Sequence, residues 1–153
     1  MRSFKTTVHL RFSHFELDPD ELTAAFQVKP ANLHRKGDPK QSAPHPGVPP
    51  WTHHYWSAAR QVASEDLPTE GVEFWLAILE ANRGTVERAL GGVGKGNLWL
   101  TFQAKVTAAE SFDDGVSFAP SLLHRIAHLG LELQVESFVG FATDGTDEYG
   151  HQM

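Results

Sequence analysis

GVSFAPSLLHRIAHLGLELQVESFV, residues 115–139, decides how the chain folds. Pro120 suits a first helical turn, where its missing N–H is not needed. Leu122, Leu123, Ile126 and Leu129 recur at helical spacing and build one apolar face. Gly130 can take the left-handed conformation that ends a helix. Leu131, Leu133 and Val135 then alternate with Glu132, Gln134 and Glu136, as in a strand with one wet face. With Phe118 closing a short strand beforehand, the stretch reads strand, helix, strand. The N-terminal region repeats this logic. Val8, Leu10 and Phe12 alternate, Asp18 and Pro19 open a helix, and Leu22 and Phe26 continue it.

Working outward, residues 3–13 form the first strand, and Asp18 with Glu21 makes a capping box for the first helix. The run 31–50, ANLHRKGDPKQSAPHPGVPP, is too rich in proline and glycine for a helix or a central strand, and its length suits a functional loop. Residues 51–59, WTHHYWSAA, suit an aromatic strand. A long helix follows over 69–90, capped by Thr69 and weakened near Asn82 to Thr85. A strand follows at 97–108, then a hairpin turn at 110–115. The predicted order is β-α-β-α-β-β-α-β. Strands with one apolar and one polar face argue for an α+β fold: a mostly antiparallel sheet, helices packed on one face, and two related halves. The whole chain, 1–153, reads as a single domain with a tail fraying from about residue 142.

Composition narrows the function classes. At 153 residues and 41% hydrophobic, the chain can build one real core. It has no cysteine, which excludes disulfides and thiol chemistry. No apolar run reaches the length of a membrane span, and the alternating start differs from a signal peptide, so a cytoplasmic location without membrane contact is expected. The net charge of -6 is uneven. Residues 1–60 carry eight Lys/Arg and five Asp/Glu, whereas 61–153 carry five and fourteen. An acidic whole argues against nucleic acid as partner, while a basic loop can still create a local field.

That loop gathers His34, Arg35, Lys36, Lys40 and His45, with Trp51, His53, His54 and Trp56 just after it. An anion or partner held there is the sharpest chemical idea available, set against a solvated loop pinned by its tryptophans. Lys5, Thr7, His9 and Arg11 share the second face of the first strand, as solvent-facing residues or as a basic strip. Other motifs fail on chemistry. GGVGKGN at 91–97 lacks the first Gly and the Ser/Thr of a phosphate loop, and it follows a helix where it should open one. His124 and His128 share a helix side, but Arg125 stands where a zinc protease needs Glu. No nucleophile elbow or paired carboxylate accompanies the histidines. No catalytic residue, metal or cofactor is assigned.

HLRFSHFELDPDELTAAFQVKP at 9–30, RKGD at 35–38, Trp56 and VSFAPSLLHRIAHLGLELQV at 116–135 together resemble domain-of-unknown-function family 4279, small and mostly bacterial domains. Pro30, Gly37 and Trp56 match its pattern, and Glu132 or Glu136 stands where its last strand usually carries Asp. The resemblance implies a single α+β domain and no chemistry; some relatives look like immunity-type partners of secreted toxins. The expectation is a non-enzymatic binding or protein-interaction module. It would meet a protein or small anion through His34, Arg35, Lys36, Trp51, His53, His54 and Trp56. One alternative is an enzyme with His53 or His54 as base and Arg35 or Lys36 holding an anionic substrate. Another is a regulatory homodimer pairing through a sheet edge or face.

Overall fold

The computed structural model describes residues 3–40, 47–63, 67–107 and 116–142. Its centre is strand β1 (Ser3–Ser13), whose apolar residues Val8, Leu10 and Phe12 are fully buried. Strands β3 (Tyr55–Val62) and β4 (Lys95–Thr107) pair antiparallel with it on either side. A short strand β2 (Asn32–His34) pairs antiparallel with β3, and β5 (Glu132–Ala142) runs parallel beside β4. The five strands lie in the order β2-β3-β1-β4-β5.

Register decides which face is buried. Phe12 lies opposite Trp56, Leu10 opposite Ala58 and Leu98, and Val8 opposite Leu100. Because side chains alternate along a strand, these residues share one face. Helices α1 (Pro19–Phe26), α2 (Pro68–Ala81), α3 (Arg83–Ala89) and α4 (Pro120–His128) cover it. They deliver Leu22, Phe26, Val72, Trp75, Leu76, Leu79, Val86, Leu122 and Ile126 to one core. The fold is thus α+β, with a mixed, mostly antiparallel sheet and helices on one side.

The two halves lie side by side about the central β1/β4 pair. In each, a strand leads through a helix to a second strand that runs parallel to the first. In the second half β5 sits directly beside β4. In the first half β3 is inserted between β1 and β2. Along the chain the elements roughly follow the predicted order, with two differences. The edge strand β2 lies inside the Pro-rich stretch, ahead of its first proline, Pro39. Residues 116–119 form no strand: Ala119 is extended, as a residue before proline prefers, yet finds no partner strand among the described residues. The hairpin turn expected at 110–115, His45 and the tail beyond 142 lie outside the described residues.

Local signals fared unevenly. Asp18 caps α1 by accepting the Asp20 N–H at 2.9 Å, but Glu21 turns to Arg88 (3.5 Å) and does not complete the capping box. The long helix breaks at Asn82, whose φ is -125° and whose Nδ2 donates to the Ile78 carbonyl at 2.8 Å. Its cap is Leu67 ahead of Pro68, in place of Thr69. Strand β3 begins at Tyr55, four residues later than Trp51, because Trp51 is drawn into the loop. Gly130 ends α4 with φ +78°. Arg125 of α4 ties to α2, donating to Glu80 at 2.6 and 3.1 Å and to Glu73 at 2.7 Å. These hydrogen bonds hold the Glu80 carboxyl below the usual range. Among the described residues, no helix is long and apolar enough to cross a membrane.

Candidate functional site

The alternation that buries Val8, Leu10 and Phe12 turns His9, Arg11 and Ser13 to the opposite, helix-free face. The described helices all pack on the other side. Across this face Arg11 lies opposite Ser57 and Asn97, and His9 opposite Ala59 and Trp99. Ser13 lies opposite Tyr55, which in turn faces His34 on the edge strand. Two clusters result, one at the β2 corner and one in the middle of the sheet.

At the corner, three rings form a column. His34 stacks on Trp51 with centroids 3.6 Å apart and on Tyr55 at 5.2 Å, both nearly parallel. Lys40 lies over the Trp51 ring at 5.0 Å. His53 meets His34 edge-on at 5.7 Å and stacks on His14 at 4.0 Å. The loop is fixed here because Gly37 N donates to the Trp51 carbonyl (2.8 Å) and Trp51 N donates to the Asp38 carbonyl (2.9 Å). The loop thus folds back on itself, carrying Trp51 onto the edge strand. An open depression of about 430 Å³ lies beside the column, lined by His34, Asp38, Lys40 and Trp51 among others.

The other predicted residues separate. Arg35 turns to α1, donating to Asp18 at 3.1 Å and to Asp20 at 2.6 Å, so two carboxylates already answer its charge. Lys36 is exposed, and its backbone N–H donates to His54 Nδ1 at 3.0 Å. His54 thereby faces Lys36 and Phe15, and not the His34 column. Trp56 is fully buried, with its Nε1 donating to Thr23 Oγ1 at 3.0 Å; it is a core residue and touches no partner surface. Its face follows from register, which a lone strand segment does not reveal.

The middle cluster was visible in the sequence only as a basic strip. Arg11 lies over the Trp99 ring at 4.4 Å and donates from Nε to Asn97 Oδ1 at 2.9 Å and from Nη2 to Gln134 Oε1 at 3.0 Å. His9 stacks on Trp99 at 4.6 Å. Both acceptors of Arg11 are neutral amides. A depression of about 250 Å³ opens between the clusters, lined by Arg11, Ser13, Tyr55, Lys95, Gly96, Asn97 and Glu132. Trp99 could not be assigned to this cluster before β1 and β4 were known to be neighbours. His34 Nε2 and Trp99 Nε1 are both shielded and find no hydrogen-bond partner among the described residues.

Electrostatics favour neutral imidazoles. Burial, then the neighbouring His53, pushes His34 below its ordinary pKa. Burial, then His14 and Lys40, lowers His53, and burial with Arg11 lowers His9. A lowered folded pKa means that the unfolded chain takes up protons first as the pH drops. Stability should therefore be full above the ordinary imidazole value of about 6.5 and fall as the pH passes below it. Urea midpoints should be lower at acidic than at neutral pH, and the difference should shrink in a His34→Gln, His53→Gln double variant. A midpoint that rises on acidification would contradict these surroundings.

No group of three or more metal-binding side chains occurs among the described residues, and His124 and His128 stack on each other at 6.0 Å. No curated protein and no solved structure matches the chain. The family model described as Domain of unknown function (DUF4279) matches residues 4–139, and with nine-tenths of its length so covered the chain belongs to that family.

Proposed function

We propose that the protein is a non-enzymatic, cytoplasmic protein-interaction module. Its contact surface runs over the helix-free sheet face, from the Trp51–His34–Tyr55 column to the Arg11–Trp99 pair. The observation that carries this reading is the placement of two tryptophans, a tyrosine and an arginine on one face that no described helix covers. Aromatic residues and arginine dominate the energetic centres of protein interfaces, because they bury much area for few frozen torsions. The depressions described on this face are open, which suits a macromolecular partner better than a small anion. Arg35, the expected anion holder, is answered by Asp18 and Asp20. The enzymatic alternative draws less support, since His54 Nδ1 accepts the Lys36 N–H and Arg35 is bound to Asp18 and Asp20.

Immobilised protein should capture a defined set of proteins from its own cell extract. A Trp51→Ala, Trp99→Ala double variant should lose that set, while Glu87→Ala on the helix side should keep it. Both variants must melt as folded proteins. Equal capture by all three, or no capture by the parent chain, would remove the proposal.

A further inference from the structure

We infer that strand β5 is the interface of a symmetric homodimer, pairing antiparallel with β5 of a second copy and centred on Val135. Among the described residues no strand pairs with the outer side of β5, which spans Glu132–Ala142. Edge strands of this length present a row of backbone donors and acceptors to another chain, and proteins usually blunt them. This edge carries two exposed apolar side chains among its polar ones. Val135 is 42% exposed on the helix side of the sheet and Phe138 is 48% exposed on the other. Leu123 of α4 is exposed too. It lies roughly 160° around the helix from Arg125. Arg125 points inward to α2, so Leu123 projects to the flank of α4 away from α2, on the side of the β5 edge.

Charge narrows the registers in which a second copy can pair. A two-fold axis at Val135 sets Val135 against its own copy and Leu133 against Ser137 on the helix side. On the open side it sets Gln134 against Glu136 and Glu132 against Phe138. Within one chain Gln134 Nε2 already donates to Glu136 Oε1 at 2.7 Å, and the same donor and acceptor can meet across the axis. Shifting the axis to Gln134 would place Glu132 opposite Glu136 twice, and like charges directly opposed destabilise a strand pair. In the register centred on Val135 the strand is therefore complementary to itself, as an isologous interface requires.

The absence of cysteine makes the register directly measurable. Opposed residues in an antiparallel pair stand about 4.5–5.5 Å apart at Cα, within disulfide reach. Native mass measurement should give twice the chain mass for the parent protein and a folded monomer for Val135→Lys. Under mild oxidation Val135→Cys should cross-link with itself. Leu133→Cys and Ser137→Cys should each fail alone and cross-link when mixed. A monomeric parent at the highest concentration it tolerates would overturn the inference. So would a dimer that survives Val135→Lys, or one whose cysteine pattern follows another register.

Discussion

Trp75→Ala should lower unfolding free energy by about 3–5 kcal/mol, the cost typical of deleting a buried tryptophan. Trp75 is 1% exposed, and α2 places it under the centre of the sheet, where its Nε1 donates to the Val8 carbonyl at 3.0 Å. Two effects add. The cavity and lost transfer energy make up most of the loss, while the hydrogen bond contributes about 1 kcal/mol. Trp75→Phe separates them, since it keeps a ring and drops the donor, so it should cost much less. Against a total stability of about 5–15 kcal/mol, the alanine variant should unfold at a far lower urea concentration and express poorly. A loss below about 1 kcal/mol would mean that α2 does not cover the sheet as described.

Gly94→Ala and Gly84→Ala should move stability in opposite directions. A Cβ on Gly94 would sit 1.9 Å from the Ala89 carbonyl oxygen, which is backbone and cannot rotate away. The turn that follows α3 would have to open. Restricting the unfolded chain returns only about 0.4–1 kcal/mol. Overpacking costs about 1–3 kcal/mol, so the clash wins. Gly84, within α3, meets nothing within 4 Å of such a Cβ. There alanine should stabilise by up to about 1 kcal/mol through helix propensity. Thermal melts of the two variants, run side by side, decide the matter; a neutral Gly94→Ala would refute the close approach.

The same glycines show what the sequence could tell. GGVGKGN resembled a phosphate loop in composition alone, and its failed spacing correctly left a helix stop; the tight contact of Gly94 with Ala89 supplies the reason for glycine at that position. Alternation in 6–12, 98–102 and 131–133 was enough to read the strands and their buried faces, because a one-residue slip would expose every core side chain. Strand order was not legible. It depends on which edges meet, and no local pattern encodes that. The insertion of β3 between β1 and β2 went unseen for this reason, as did the His9–Trp99 and Arg11–Gln134 contacts. The loop site was partly legible. His34, Trp51 and His53 do gather, but Arg35 is claimed by two aspartates that lie in a different element, and Trp56 faces the core. Residue type marked the neighbourhood; only register and the folding-back of the loop assigned each side chain its neighbours.

One side of the sheet is core, and the other is covered by none of the described helices. Ala58 and Ala59 are adjacent on β3, and Ala58 is 1% exposed on the helix side while Ala59 is exposed opposite His9. In this cysteine-free chain each can be replaced singly by cysteine and treated with a thiol reagent under native conditions. Ala59→Cys should label at nearly the rate of the unfolded protein, and Ala58→Cys should be protected until urea unfolds the chain. Protection of both, or the reverse order, would contradict the helix-free face and everything proposed upon it.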